Sequence, residues 1–204
     1  MWSVLTNLIN LIKMNSIIEQ KTGLYVEKRS RFISYVFRCD SKDEEENLLK
    51  NIRKEHASAR HVCYASVING DSIYSDDKEP SGTAGAQLSL LISKYDLMNV
   101  LLVVVRYFGG VKLGTSGLTN AYKTSAQMCI EGNTKQVVLK EKFSVKCDYT
   151  SFDQIKKTLT LNSIEISNQI FGDDVGFEVY LSQEEKALMP KNCLLTPLGD
   201  KKYM

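Results

Sequence analysis

The chain has 204 residues, 43% hydrophobic and 25% charged, so it is long enough to bury a core and is neither disordered nor fibrous. Its formal net charge of +2 is too small to identify a nucleic-acid-binding protein by itself. Five scattered cysteines without a CxxC pair predict neither a disulfide framework nor a zinc site, and they favour a cytoplasmic protein. Two histidines are too few for a multi-histidine metal centre, and we expect neither a metal nor a cofactor.

The first 13 residues are apolar, but polar residues interrupt them and they are too short to span a bilayer. They lack the basic start and the small-residue cleavage site of a signal peptide. We expect no membrane association and interpret residues 1–15 as an N-terminal extension, with Met14 as an alternative start of translation.

Two strand pairs and a helix are predicted in the first third of the chain. Alternating apolar and polar residues over 24–39 predict two strands joined near Arg29–Ser30. Ser41 and Glu44 form a capping box, which predicts the start of a helix. Asn69-Gly70 between two alternating runs is the strongest short signal for a hairpin.

The middle of the chain predicts a helix, a buried strand and a longer helix. Apolar residues at helical spacing predict a helix over about 84–95. Six consecutive apolar residues from Val100 to Val105 predict a central strand that is buried on both faces. A glycine-rich loop follows, and the next helix extends to about Glu131.

Gly132-Asn133 is typical of a boundary, so we predict one domain over 16–134 and a second over 135–204. The second has a β-α-β-β-α pattern, most of a ferredoxin-like unit. Its tail leaves little room for a last strand, and we therefore expect a shortened ferredoxin-like domain. The whole chain is predicted to be an α+β protein.

Two glycine-containing loops form the candidate site. If the strands ending near Ser75 and Tyr107 share a sheet, the helix between them makes the strands parallel, and both loops leave the same end. Each loop leads into a helix N-terminus, where free N–H groups favour anions, and nearby Ser and Thr residues could cap the helices. The predicted anion-binding or ligand-binding residues are Glu79, Ser81, Gly82, Thr83, Gly85, Arg106, Gly109, Gly110, Lys112, Gly114, Thr115 and Ser116, with Arg60, His61 and Asn120 as auxiliary residues.

Other interpretations of these loops remain open. Gly109 and Gly114 have Walker A spacing, but Thr115 stands where the lysine belongs, so an ATP-hydrolysing P-loop is not expected. As an alternative to ligand binding, the glycines only permit tight turns and close packing of the helices. The acidic residues Asp76, Asp77 and Glu79 fit a magnesium site less well than a turn that caps the next helix.

Two weaker candidates lie nearby. His61 and Glu79 with Ser81 as a nucleophile would form a hydrolytic site, but the GxSxG elbow is missing. The stretch from Lys28 to Arg38 alternates basic and aromatic residues, which is typical either of an RNA-binding surface or of a strand with a buried face.

The motifs "RSRFIS", "RHVCYA", "SDDKEPSGTAG" and "VVRYFGGVKLGTSGLTNAY", in this order, resemble the IMPACT family, specifically its bacterial YigZ-type members. The resemblance covers about residues 20–130. It implies an N-terminal domain with the fold of ribosomal protein S5 domain 2, a small ferredoxin-like domain and a cytosolic role linked to translation. The chain departs from the family pattern at Lys78, Gln87 and Asn120, and the last change removes an arginine beside the candidate site.

We therefore predict a non-enzymatic cytoplasmic protein that contacts RNA or a ribosome-associated partner through its two glycine loops. One alternative is an enzyme acting on a small phosphorylated or nucleotide-like ligand. Another is a protein-interaction module in which the second domain offers an exposed sheet edge.

Overall fold

A computed structural model describes residues 14–204, in which four α-helices and eleven strands confirm the predicted α+β class. The expectations for residues 1–13 lie outside this range. The described residues divide into a first unit, residues 14–137, and a second unit, residues 138–204. None of the described helices is long and apolar enough to cross a bilayer.

The first unit contains a five-stranded sheet in the order β2-β3-β6-β4-β5, with each neighbouring pair antiparallel. Its strands are β2 (Lys21–Glu27), β3 (Ser30–Arg38), β4 (His61–Ile68), β5 (Asp71–Ser75) and β6 (Val100–Tyr107). Its helices are α1 (Lys42–Glu55), α2 (Gly85–Lys94) and α3 (Gly114–Ile130).

Local sequence signals set the connections between these elements. Asn69 and Gly70 both have positive φ, as the hairpin turn between β4 and β5 requires. Lys28 and Arg29 make the same kind of turn between β2 and β3 although neither is a glycine. At the start of α1, the Glu44 amide donates to the Ser41 hydroxyl at 3.2 Å, which confirms the capping prediction.

Helices cover both faces of the five-stranded sheet. On one face α2 and α3 bury a cluster that includes Phe32, Leu88 and Tyr122. On the other face α1 contributes Leu49 and Ile52 to a second cluster. Because β6 lies at the centre and contacts both clusters, its residues from 100 to 106 are all buried, as the apolar run predicts.

A two-stranded antiparallel sheet joins the two ends of the first unit. It consists of β1 (Met14–Ile17) and β7 (Thr134–Val137). Met14 and Asn15, expected in the N-terminal extension, are thus part of a strand.

The second unit has a ferredoxin-like topology. Its sheet has the order β11-β8-β10-β9, with α4 (Tyr149–Leu161) between β8 and β9, and every pair is antiparallel. The strands are β8 (Leu139–Cys147), β9 (Ile166–Phe171), β10 (Val175–Leu181) and β11 (Leu194–Tyr203).

The expectation that this unit lacks its last strand is wrong. The tail forms the ten-residue strand β11, which pairs with β8 around an irregularity between Pro197 and Lys201. The element that is reduced is the second helix, which is a single 3-10 turn over Glu185–Leu188.

Candidate functional site

Both predicted loops leave the same end of the five-stranded sheet. Strands β5 and β6 are each antiparallel to β4, which lies between them, so they run parallel as the sequence predicts. Loop 76–84 follows β5, and loop 108–113 follows β6. The β2–β3 turn and the start of β4 lie at this end as well, because Arg31 and His61 pair with Tyr107 and Arg106, respectively.

A carboxylate of the protein itself holds the turn that leads into α2. The Gly82 and Ala84 amides donate to the two carboxylate oxygens of Asp76, at 2.8 and 3.1 Å. Both amides lie before the first helical residue, Gly85, and among the described residues no side chain caps α2 itself. The Asp76 carboxylate orders this turn, and its charge disfavours a second anion there. Neither Ser81 nor Thr83 caps α2, since Ser81 is exposed and the Thr83 hydroxyl donates to the Pro80 carbonyl at 2.7 Å.

Glu79 and Arg106 form a buried ion pair. The Arg106 Nη1 lies 2.6 Å from Glu79 Oε1, and the two side chains are 7% and 3% exposed. The Tyr122 hydroxyl donates to the same oxygen at 2.9 Å, and His61 Nε2 lies 3.7 Å from it. The role predicted for Arg106 as the neutralising group for a ligand is therefore corrected, because its charge is balanced by Glu79.

Burial holds two neighbours of this ion pair, Tyr122 and Cys63, in their neutral forms. Burial raises the pKa of Tyr122, which keeps the phenol protonated as a donor to Glu79. Burial also raises the pKa of the adjacent Cys63 to about 12, so this thiol is not an activated nucleophile. His61 Nδ1 faces the Asp77 carbonyl at 2.8 Å and must carry a hydrogen to bond it.

The hydrolytic alternative finds only part of its geometry. His61 and Glu79 do come together, as described above. Within the described part of the chain, however, no hydrogen bond joins Ser81 to His61 or to Glu79. The cluster of Cys63, His61, Glu79, Arg106 and Tyr122 instead connects loop 76–84 to strands β4 and β6 and to helix α3.

Glycines in and next to the loops serve packing at two positions. A Cβ atom on Gly109 would lie 2.0 Å from the backbone carbon of Arg29, and one on Gly85 would lie 2.3 Å from the Ser75 carbonyl oxygen. The Gly109 amide also donates to the Ser30 hydroxyl at 3.1 Å. At these two positions the packing interpretation is correct.

The start of α3 remains open to solvent. Its first residue, Gly114, has a φ of +72° with open space where a Cβ would lie, and the same holds for Gly110 at +87°. No side chain caps this helix, which corrects the capping role predicted for Thr115 and Ser116. Both residues are exposed, and the exposed Lys112 lies immediately before the helix.

A set of exposed cations, which we call the basic end, surrounds these loops. It consists of Lys28, Arg29, Arg31, Arg60, Lys78 and Lys112. In the described part of the chain no carboxylate lies within ion-pair distance of any of the six. Arg38, which the sequence groups with them, lies at the opposite end of β3 and pairs with Asp40.

Phe108 is a surface feature that the sequence analysis missed. Its side chain is 41% exposed at the end of β6, and the guanidinium groups of Arg60 and Arg106 lie 5.7 and 5.6 Å from its ring centre. The sequence could have indicated this, because Phe108 directly follows the buried strand β6 and stands at the start of the glycine-rich loop. Asn120, predicted as auxiliary, is exposed on α3.

A family model and two curated relatives all match this chain to the same protein family. The Impact N-terminal domain matches residues 28–130. IMPACT family member YvyE from Bacillus subtilis is 35% identical over 78% of this chain and 76% of its own length. IMPACT family member YigZ from Escherichia coli is 34% identical over 65% of this chain and 68% of its own length. A crystal structure described as that of a hypothetical protein covers 92% of this chain and 98% of its own, with a TM-score of 0.62 and 26% identity. The chain therefore belongs to the IMPACT family.

Proposed function

We propose that this protein binds single-stranded RNA in the cytoplasm through the basic end of its first unit, in association with translation. The observation that carries the proposal is the set of six exposed cations without carboxylate partners at one end of the sheet. Phosphate groups are the natural partners for such a set, because binding them releases counterions from the nucleic acid.

The charge of the second unit supports the assignment of RNA binding to the first unit. Residues 138–204 carry nine lysines and ten acidic residues, which gives this unit a formal net charge of −1. Four of its five sheet lysines form internal ion pairs, among them Lys140 with Glu185 at 2.6 Å and Lys142 with Glu178 at 2.7 Å. The unbalanced positive charge thus lies in the first unit.

Two further features of the basic end fit an extended RNA strand. The uncapped start of α3 offers backbone N–H groups next to Lys112, which suits a phosphate group. The exposed ring of Phe108 offers a surface on which a base can stack. In this proposal Glu79 and Arg106 do not touch the ligand but hold loop 76–84 in place.

Salt-dependent RNA binding tests the proposal. Binding of the full chain to a fluorescent single-stranded RNA is measured by anisotropy at several salt concentrations. If all six cations contact phosphates, the logarithm of the association constant falls with that of the salt concentration at a slope of about −4. Lys112→Gln is expected to reduce this slope by about 0.7, whereas Lys146→Gln in the second unit leaves it unchanged. Absence of binding at low salt, or equal effects of the two variants, would refute the proposal.

A small phosphorylated ligand is the alternative for the same residues. Thermal unfolding with a panel of nucleotides, with and without magnesium, distinguishes the two, since a ligand far above its Kd stabilises the folded protein by several kcal/mol. Stabilisation by a mononucleotide, together with no binding of RNA, would favour the enzyme alternative.

A further inference from the structure

Two cysteines of the second unit lie at neighbouring positions of paired strands. Cys147 is the last residue of β8, and Cys193 directly precedes β11. In the antiparallel pairing Leu195 lies opposite Val145, and the ladder begins with Leu194 opposite Lys146; continued by one residue, this register would bring Cys193 opposite Cys147. Opposed residues in such a pair have Cα atoms about 4.5–5.5 Å apart, which is within the range that a disulfide bridges.

Both side chains belong to the same face of the sheet. Cys147 is buried in the core of the second unit with Val145, and Cys193 packs against this core together with Leu195. The segment before β11 is held in position, because the Asn192 amide donates to the Ser151 hydroxyl of α4 at 2.7 Å. Burial raises the pKa of Cys147, and the nearby Cys193 raises it further.

The other three cysteines lack such a partner. Cys39 donates to the Ser41 carbonyl, Cys63 contacts Asp76 and Tyr122, and Cys129 contacts Ser34. All five thiols are free in the structure. Cys147 and Cys193 are therefore the pair of thiols that the fold places next to each other.

We propose that Cys147 and Cys193 form a reversible disulfide when the protein meets a small-molecule disulfide such as oxidised glutathione. Burial raises the pKa of Cys193 as well, and its thiol donates to the Pro190 carbonyl at 2.9 Å, so the reaction proceeds through the small fraction present as thiolate. This thiolate attacks one sulfur of the oxidant and releases one glutathione thiolate. The Cys147 thiolate then attacks the Cys193 sulfur and releases the second glutathione. The two cysteines lose two electrons and two protons in total, and the oxidant becomes two molecules of glutathione.

The cross-link would fasten β11 to β8 at the end where their regular pairing begins. This matters because β11 is an edge strand with an irregularity at its centre, between Pro197 and Lys201. A disulfide restricts the unfolded chain most when it closes a long loop, as this one would. Oxidation is therefore expected to stabilise the second unit.

Treatment of the full, reduced chain with oxidised glutathione tests the proposal. We expect the protein to lose two hydrogens by intact mass, and trypsin to release peptides 147–156 and 192–201 joined through their single cysteines. The thermal midpoint of the second unit should rise by on the order of 10 °C and return to its first value with dithiothreitol.

Matched variants separate this pair from general thiol oxidation. Cys193→Ala and Cys147→Ala should each abolish both the mass loss and the thermal shift, whereas Cys39→Ala retains both. A glutathione adduct that persists on Cys193 without an internal disulfide would overturn the proposal. So would a cross-link that involves any of the other three cysteines.

Discussion

Replacing Glu79 by glutamine is expected to destabilise the first unit by about 3–5 kcal/mol, which is the cost of removing one partner from a buried ion pair. The structure gives the reason for this size. Arg106 Nη1 lies 2.6 Å from Glu79 Oε1, and neither side chain is more than 7% exposed. The neutral glutamine would leave the Arg106 charge buried without a counter-charge and would weaken the hydrogen bond from Tyr122.

A double-mutant cycle separates this loss from the net value of the pair. Arg106→Met removes the other charge, and the double variant Glu79→Gln/Arg106→Met leaves neither charge buried. The double variant should therefore lose less than the sum of the two single losses, with a coupling of about 1–3 kcal/mol. An exposed pair serves as the control: Lys42 and Asp71 lie 3.6 Å apart with 60% and 72% of their side chains exposed, so Lys42→Gln should have no measurable effect.

Urea unfolding monitored by circular dichroism gives the free energies, provided that the transition of the first unit is resolved from that of the second. A loss below about 1 kcal/mol for Glu79→Gln, or strictly additive effects in the cycle, would refute the assignment of a buried, coupled pair.

Three other predictions concern the loops and the buried thiols. Gly109→Ala should destabilise the protein by more than Gly110→Ala in urea unfolding, because only the first places a Cβ against backbone, whereas the second costs about 1 kcal/mol for its positive φ; equal losses would contradict this. Asp76→Asn should cost about 1–2 kcal/mol in the same assay, since it removes the charged acceptor of the Gly82 and Ala84 amides just before α2. An unchanged midpoint would argue against this role of Asp76. Burial raises the pKa of Cys63 from 9.0 to about 12, so the folded state holds the thiol proton more tightly than the unfolded state does. The contribution of this thiol to the free energy of unfolding should be fully present below pH 9. Between pH 9 and pH 12 it should fall by up to about 1.4 kcal/mol per pH unit. Cys63→Ala should reduce this fall, and an identical pH profile would count against the buried thiol.

The sequence predicted those parts of the fold that depend on neighbouring residues. Asn69-Gly70 fixes a hairpin by its backbone preference, and the apolar run from Val100 to Val105 can be satisfied only by a strand covered on both faces. The strand β11 was missed because its residues carry little of this information. Pro197 and Gly199 interrupt the pattern, and the strand exists through pairing with β8, whose residues lie 48 to 64 positions earlier in the chain.

For the candidate site, the sequence predicted which loops come together but not how their charges are used. Parallel β5 and β6 follow from the helix between them, and this brings both loops to one end of the sheet. The pairing of Glu79 with Arg106 joins residues that are 27 positions apart. Periodicity cannot reveal such a contact, because a charged residue at a strand end looks the same whether it meets solvent or a buried partner.

The two interpretations of the glycines apply to different residues of the same loops. Gly85 and Gly109 are required because backbone from another element lies where their side chains would be. Gly110 and Gly114 have open space there, and they shape a loop that leaves the start of α3 uncapped beside Lys112. The Asp76 carboxylate binds the loop amides just before α2 and repels a second anion there, so a phosphate at this end of the sheet would be favoured at the start of α3. An anionic ligand must then gain its remaining contacts from the exposed cations, which favours a partner that carries many phosphates over one that carries a single phosphate.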